Sequence, residues 1–271
     1  MTRAWLVVIW SLASPALFAP AVHASEVGFP LQEMNPNLRD LPSLQRGARV
    51  FFNYCSGCHS LKYQRYEKTA NDLKIPYDVA LETLIFTGQK IGGLIETAMP
   101  PESNNWFGAA PPDLTMVTRV RGSSWVYTYL KTFYLDDTRP LGVNNKVFKN
   151  VGMPHALQEL QGIQRNDCTH VPQLAADGGE KRDPLIPGLK ITRDASGDEH
   201  GCDMLVLEPK SGVLDEKQYD ALVYDLVNFL TYVGEPARMD RQRIGVYVLL
   251  FLVVLYVFAY LLGREYGKDG H

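Results

Sequence analysis

The chain has 271 residues, 46% apolar and 21% charged, with a formal net charge of -3. That length suits one good-sized domain with attachments, not several large ones. The mild acidity and the lack of a basic cluster give no basis for a nucleic-acid partner.

The first apolar stretch runs from Ala4 to Leu17 behind a single cation, Arg3. It is short for a membrane span, and Val22 and Ala24 suit the small-residue positions of an export cleavage site. Residues 1–24 therefore read as a signal peptide, and the following domain as exported.

A helical pattern begins at Pro42-Ser43, with Leu44, Gly47, Val50, Phe51 and Tyr54 at helical intervals. Gly47 has no side chain, which would let another helix cross closely, with Phe51 packed beside the crossing. The expected partner spans Asp215 to Val233. Its apolar face is Tyr219, Leu222, Val223, Leu226, Leu230 and Val233, its N-cap Asp215 with Gln218 three residues on, and its stop Gly234-Glu235-Pro236.

Between these helices lie four cysteines, at 55, 58, 168 and 202. Cys55-Ser56-Gly57-Cys58-His59 has the spacing of a c-type haem attachment site. Two thiols one helical turn apart would add across the haem vinyl groups, and the next imidazole, His59, would reach the iron. A dithiol redox pair would not need His59. A zinc site would need further ligands from a distant stretch of different character. Cys168 and Cys202 are even in number and expected outside the cytoplasm, so they read as a disulfide closing a Gly-, Asp- and Pro-rich loop.

An electron carrier favours an iron with both axial positions filled, and methionine sulfur commonly supplies the second. Met34 falls in an extended N-terminal arm, Met204 in the loop region and Met239 beside the membrane. Met99, Met116 and Met153 remain. Met99 and Met153 each precede a proline, which suits an irregular ligand loop. The residues alone leave these two tied.

The last apolar segment, Ile244 to Leu262, runs nineteen residues without a charge. At 1.5 Å per residue it covers roughly 28 Å, one hydrocarbon core. Arg238, Arg241 and Arg243 precede it, and Arg264 and Lys268 follow. Local charge leaves its orientation open. The signal peptide favours an exported domain over residues 25–243, a span at 244–262 and a cytoplasmic tail at 263–271.

Taken together, several elements resemble the cytochrome c1 family, the haem subunits of the ubiquinol–cytochrome c oxidoreductase (bc1) complex. They are Cys55-Ser56-Gly57-Cys58-His59-Ser60-Leu61 with Tyr63 and Tyr66; Ala110-Pro111-Pro112-Asp113-Leu114; Thr118-Arg119-Val120-Arg121-Gly122; Val151-Gly152-Met153-Pro154; Tyr224-Asp225-Leu226-Val227-Asn228-Phe229-Leu230; and the late anchor. The resemblance implies a mainly α, cytochrome c-like haem domain with long loops plus one C-terminal transmembrane helix. It implies one covalent haem c held by Cys55 and Cys58, with His59 and Met153 as axial ligands. It further implies that Arg121 bonds a haem propionate and that Pro112 lies against the haem.

The partners so implied are cytochrome b, a Rieske iron–sulfur protein as electron donor and a soluble cytochrome c as acceptor, in a dimeric complex. The expected location is the bacterial inner membrane, with the haem domain on the periplasmic side. Residues 164–204 look inserted relative to the family, and their acidic residues suggest a field attracting a basic acceptor. Two other functions fit a haem-bearing anchored chain: a cytochrome serving another oxidase or reductase, and a haem-based sensor.

Overall fold

The computed structural model describes residues 29–86, 88–166 and 205–266, and Asp40 opens the first helix among them. The expected signal peptide, the Cys168–Cys202 pair and residues 167–204 of the insertion lie outside the described residues. So does the end of the tail, residues 267–271. Helix α1 (Leu41–Val50) carries Pro42 in its first turn, and the Asp40 carboxylate accepts from the Ser43 amide at 3.1 Å. The cap is thus Asp40, just before the Pro42-Ser43 start read from the sequence. The helix runs on into a π-helical turn, Phe51–Cys55, which delivers the chain to the cysteine pair.

Helix α1 crosses the long helix α8 (Glu216–Gly234), and Gly47 marks the crossing point. A Cβ at Gly47 would stand 2.0 Å from the Asp225 carbonyl oxygen and 2.7 Å from the Phe229 Cβ. Only glycine admits this approach. Phe51 and Phe229 are fully buried beside it, their ring centroids 5.9 Å apart. Each such ring contributes on the order of 1.5–3 kcal/mol by leaving water. Across the same contact, Arg46 forks onto Asp225 at 2.5 and 3.0 Å. Asn228 donates to the Asn37 carbonyl and the Ser43 hydroxyl, both at 3.0 Å. At the start of α8, Asp215 and Gln218 form the reciprocal capping box.

Among the described residues, short helices between these two include α2 (Tyr66–Asp72), α3 (Tyr77–Thr83), α4 (Asn104–Phe107), α5 (Val117–Val120) and α6 (Ser123–Lys131). Another, α7 (Gln158–Gln161), closes against the start of α8: the Val213 amide donates to the Glu159 carbonyl and the Leu214 amide to the Leu160 carbonyl. Helices α5 and α6 both pack on α8, and the Thr118 hydroxyl donates to the Leu230 carbonyl at 3.3 Å. Met34, read as part of an extended arm, is buried in the core.

Two small sheets form among the described residues. Strands β1 (Leu61–Arg65) and β2 (Leu94–Ile95) pair antiparallel. The second sheet has the order β4-β3-β5-β6, with β3 (Phe133–Leu135), β4 (Val143–Asn145), β5 (Gln164–Asn166) and β6 (Leu205–Leu207). Its β3–β4 and β5–β6 pairs are antiparallel, and its central β3–β5 pair is parallel. Gln164–Asn166, read as the start of the inserted loop, is therefore strand.

Helix α9 (Arg238–Tyr266) follows α8 after a short break and buries none of its residues in the protein. Its apolar window has a mean hydropathy of 2.6. So apolar a cylinder, exposed all round, is a membrane span. It begins and ends a few residues beyond the charge-free segment, taking up the flanking arginines.

Candidate functional site

The π-helical turn sets the phase of the cysteine pair. The Ser56 amide donates to the Phe51 carbonyl at 3.0 Å, and the Cys58 and His59 amides donate to the Cys55 carbonyl at 3.1 and 2.8 Å. Cys55 and His59 are thereby one turn apart on a continuous coil. Burial pushes the Cys55 thiol up to about 12. A dithiol redox centre wants the opposite, a thiolate stabilised near neutral pH.

His59 is buried, and its Nδ1 lies 2.7 Å from the Pro112 carbonyl oxygen. A carbonyl only accepts, so Nδ1 carries the proton and Nε2 keeps its lone pair for a metal. Burial pulls the imidazole below its usual range, against the opposing pull of the Pro112 carbonyl and Asp113.

The Pro-Pro-Asp-Leu element serves as a brace for this turn. Besides Pro112, the Asp113 carboxylate accepts from the Lys62 amide at 2.7 Å, and the Leu114 amide donates to the Ser60 carbonyl at 2.9 Å. Asp113 also accepts from the Thr115 amide at 3.0 Å, closing its own turn. The Pro112 ring itself is exposed. The bracing role of its carbonyl is not visible in residue types alone.

The methionines divide by environment. The Met99 amide donates to Thr97 Oγ1, whose hydroxyl donates to the Gly57 carbonyl, while the Thr97 amide donates to Ser60 Oγ. Met99 is thus tied to the segment that carries His59. Met116 is exposed and stands before α5. Met153 comes from a separate loop and packs against Phe133, Val143 and Val151. Gly152 lets that loop close on α4: a Cβ there would stand 2.7 Å from the Phe107 carbonyl oxygen.

Around Met153 lies an aromatic stripe that sequence reading missed. Arg121, Trp125, Tyr129 and Phe133 recur every four residues from the end of α5, through α6, to the start of β3, a spacing that was available as a signal. The Arg121 guanidinium sits 5.2 Å over the Trp125 ring. Trp125 stacks face to face on Tyr129 at 5.1 Å, and Tyr129 meets Phe133 edge-on at the same distance. The Tyr129 hydroxyl donates to Met153 Sδ at 3.4 Å, and burial raises it above the usual phenol range. Phe133 stacks on His155 at 4.7 Å, and His155 Nε2 lies 2.7 Å from Gln161 Oε1. Burial holds His155 down at about 4, which keeps it neutral beside the loop.

Comparison with known proteins follows the same outline. The family model described as Cytochrome C1 family matches residues 214–269, covering α8 and the anchor. Cytochrome c1 of Allochromatium vinosum is 49% identical over 264 residues, 96% of this chain and 98% of that protein. The ammonia monooxygenase gamma subunit of Nitrosomonas europaea is 38% identical over 257 residues, 94% of this chain and 95% of that protein. Cytochrome c1 of Rhodospirillum rubrum is 26% identical, covering 80% of this chain and 77% of that protein.

Proposed function

The chain belongs to the cytochrome c1 family, and from that premise we propose that it works within a bc1-type complex, taking an electron from a Rieske iron–sulfur protein and passing it to a soluble cytochrome c. It is a membrane-anchored electron carrier with a covalently bound haem c. The haem supplies a one-electron couple between ferric and ferrous iron. Every other part of the task falls to the chain's own residues.

Cys55 and Cys58 form the two thioether links. His59 would serve as the first axial ligand: its Nδ1–H donates to the Pro112 carbonyl oxygen, which leaves the Nε2 lone pair available to iron. This 2.7 Å bond is the observation that carries the reading. Met153 is the second ligand. Its origin in a loop separate from the His59 segment supports it over Met99, whose backbone is tied to Gly57 and Ser60 through Thr97. Arg121 supplies a positive charge for a propionate, and its stacking on Trp125 limits where that charge can go. Pro112 contributes both the bracing carbonyl and an exposed ring for the haem to rest on.

The anchor holds the domain at the membrane surface, with residues 25–243 periplasmic in the bacterial inner membrane and the tail cytoplasmic. Cytochrome b and a second copy of the complex complete the assembly. Cys168 and Cys202 pair as a disulfide in the inserted region. A second reading places the chain in a different membrane oxidoreductase, and the name of the Nitrosomonas relative favours it. Purification in mild detergent, haem staining and identification of co-purifying chains separates the two. A di-haem cytochrome b and a Rieske protein are expected; their absence beside another oxidase subunit overturns the first reading.

A further inference from the structure

The aromatic stripe ends on a polar contact that packing alone does not require. Tyr129 is clamped on three sides: Trp125 on its face, Phe133 on its edge, and Asn145, whose side-chain amide donates to the Tyr129 carbonyl at 2.7 Å. That leaves its hydroxyl in a partly buried, largely aromatic setting, where an unpaired O–H is unfavourable. Among the described residues the acceptor of that hydroxyl is the Met153 sulfur.

We propose that Tyr129 is a positioning and tuning residue for the electron-carrying centre, its hydroxyl bond fixing the Met153 thioether and drawing electron density from the sulfur. The inference rests on Met153 being the axial ligand. A thioether sulfur has two lone pairs, one for iron and one to accept this bond. A donor on the second pair weakens donation through the first. Ferric iron depends on that donation more than ferrous iron does, so the bond favours the reduced state and raises the potential. The bond also restrains the sulfur, so an outside ligand displaces it less readily. The proton stays on the Tyr129 oxygen in both redox states, and no atom is transferred.

The test uses the full-length, haem-loaded protein in detergent. Tyr129→Phe keeps the ring and its stacking and removes only the donor. The expected results are a lower midpoint potential, a several-fold gain in imidazole affinity for the ferric protein, and an unchanged haem content per chain. The control is Tyr127→Phe, which removes a neighbouring buried phenol bonded to Asp220 instead; it leaves potential and imidazole affinity unchanged. Unaltered potential and imidazole affinity in Tyr129→Phe overturn the inference, as does an equal drop in both variants. Met153→Leu separates the two layers. If it keeps the ferric sulfur-to-iron absorption band, the ligand assignment fails and the inference with it. If it loses the band while Tyr129→Phe changes nothing, only the inference fails.

Discussion

His59 and Met153 stand in regions of contrasting construction. His59 is placed locally: it follows Cys55 by four positions, and a π-helical turn runs straight off a helix locked by a glycine crossing. Met153 is placed from far away in sequence, by α4, the α6 stripe and the β3–β4 hairpin. The first region is set by backbone hydrogen bonds and one close approach, the second by side-chain packing. A defect in the first should cost the whole domain. A defect in the second should cost the methionine and spare the rest.

The sharpest break of that contrast is at Gly47. Alanine there puts a methyl group 2.0 Å from a backbone oxygen that cannot move without shifting α8. Gly47→Ala is expected to destabilise the domain by about 3 kcal/mol or more, read by denaturant unfolding and by a collapse in haem-stained protein. Near-normal stability would mean that the crossing is not the frame of the site. Gly152→Ala is the matching lesion on the other side. Its methyl group meets the Phe107 carbonyl at 2.7 Å, and the expected cost is about 1–3 kcal/mol. Covalent haem should persist while the methionine-dependent ferric band weakens. If covalent haem is lost instead, the two regions are not separable in this way.

The smallest effect concerns the hairpin behind Met153. Asp136 accepts from the Thr138 hydroxyl and amide and from Asn144 Nδ2, and these bonds, the Thr138 hydroxyl first, hold its carboxyl below the usual range. A depressed carboxylate stabilises the fold above its unfolded value near 3.8 and loses that contribution as pH falls through the folded value. Asp136→Asn should therefore cost less than about 1 kcal/mol at neutral pH and flatten the acid end of the stability profile. An unchanged acid limb would show that the hairpin does not draw on this charge.

The same contrast explains what the sequence disclosed. The cysteine-histidine turn, the glycine crossing, the capping box and the anchor are all local patterns with a fixed period or spacing, and each stands where it was expected. The four-stranded sheet was not foreseen. Its strands are three residues long, too short for an alternating pattern to register, and β5 and β6 are neighbours only through pairing across 38 intervening residues. The Pro112 brace was hidden for another reason: it works through a backbone carbonyl, which every residue has. Bare residue types also left Met99 and Met153 level, because the difference between them lies in long-range contacts such as Thr97 to Gly57 and Tyr129 to Met153.

The central claim is that iron is held between His59 and Met153, and the ferric far-red absorption of two variants tests it most directly. In the purified full-length protein, Met153→Leu should abolish the sulfur-to-iron band while Met99→Leu leaves it intact. A band that survives Met153→Leu and disappears in Met99→Leu would contradict the account.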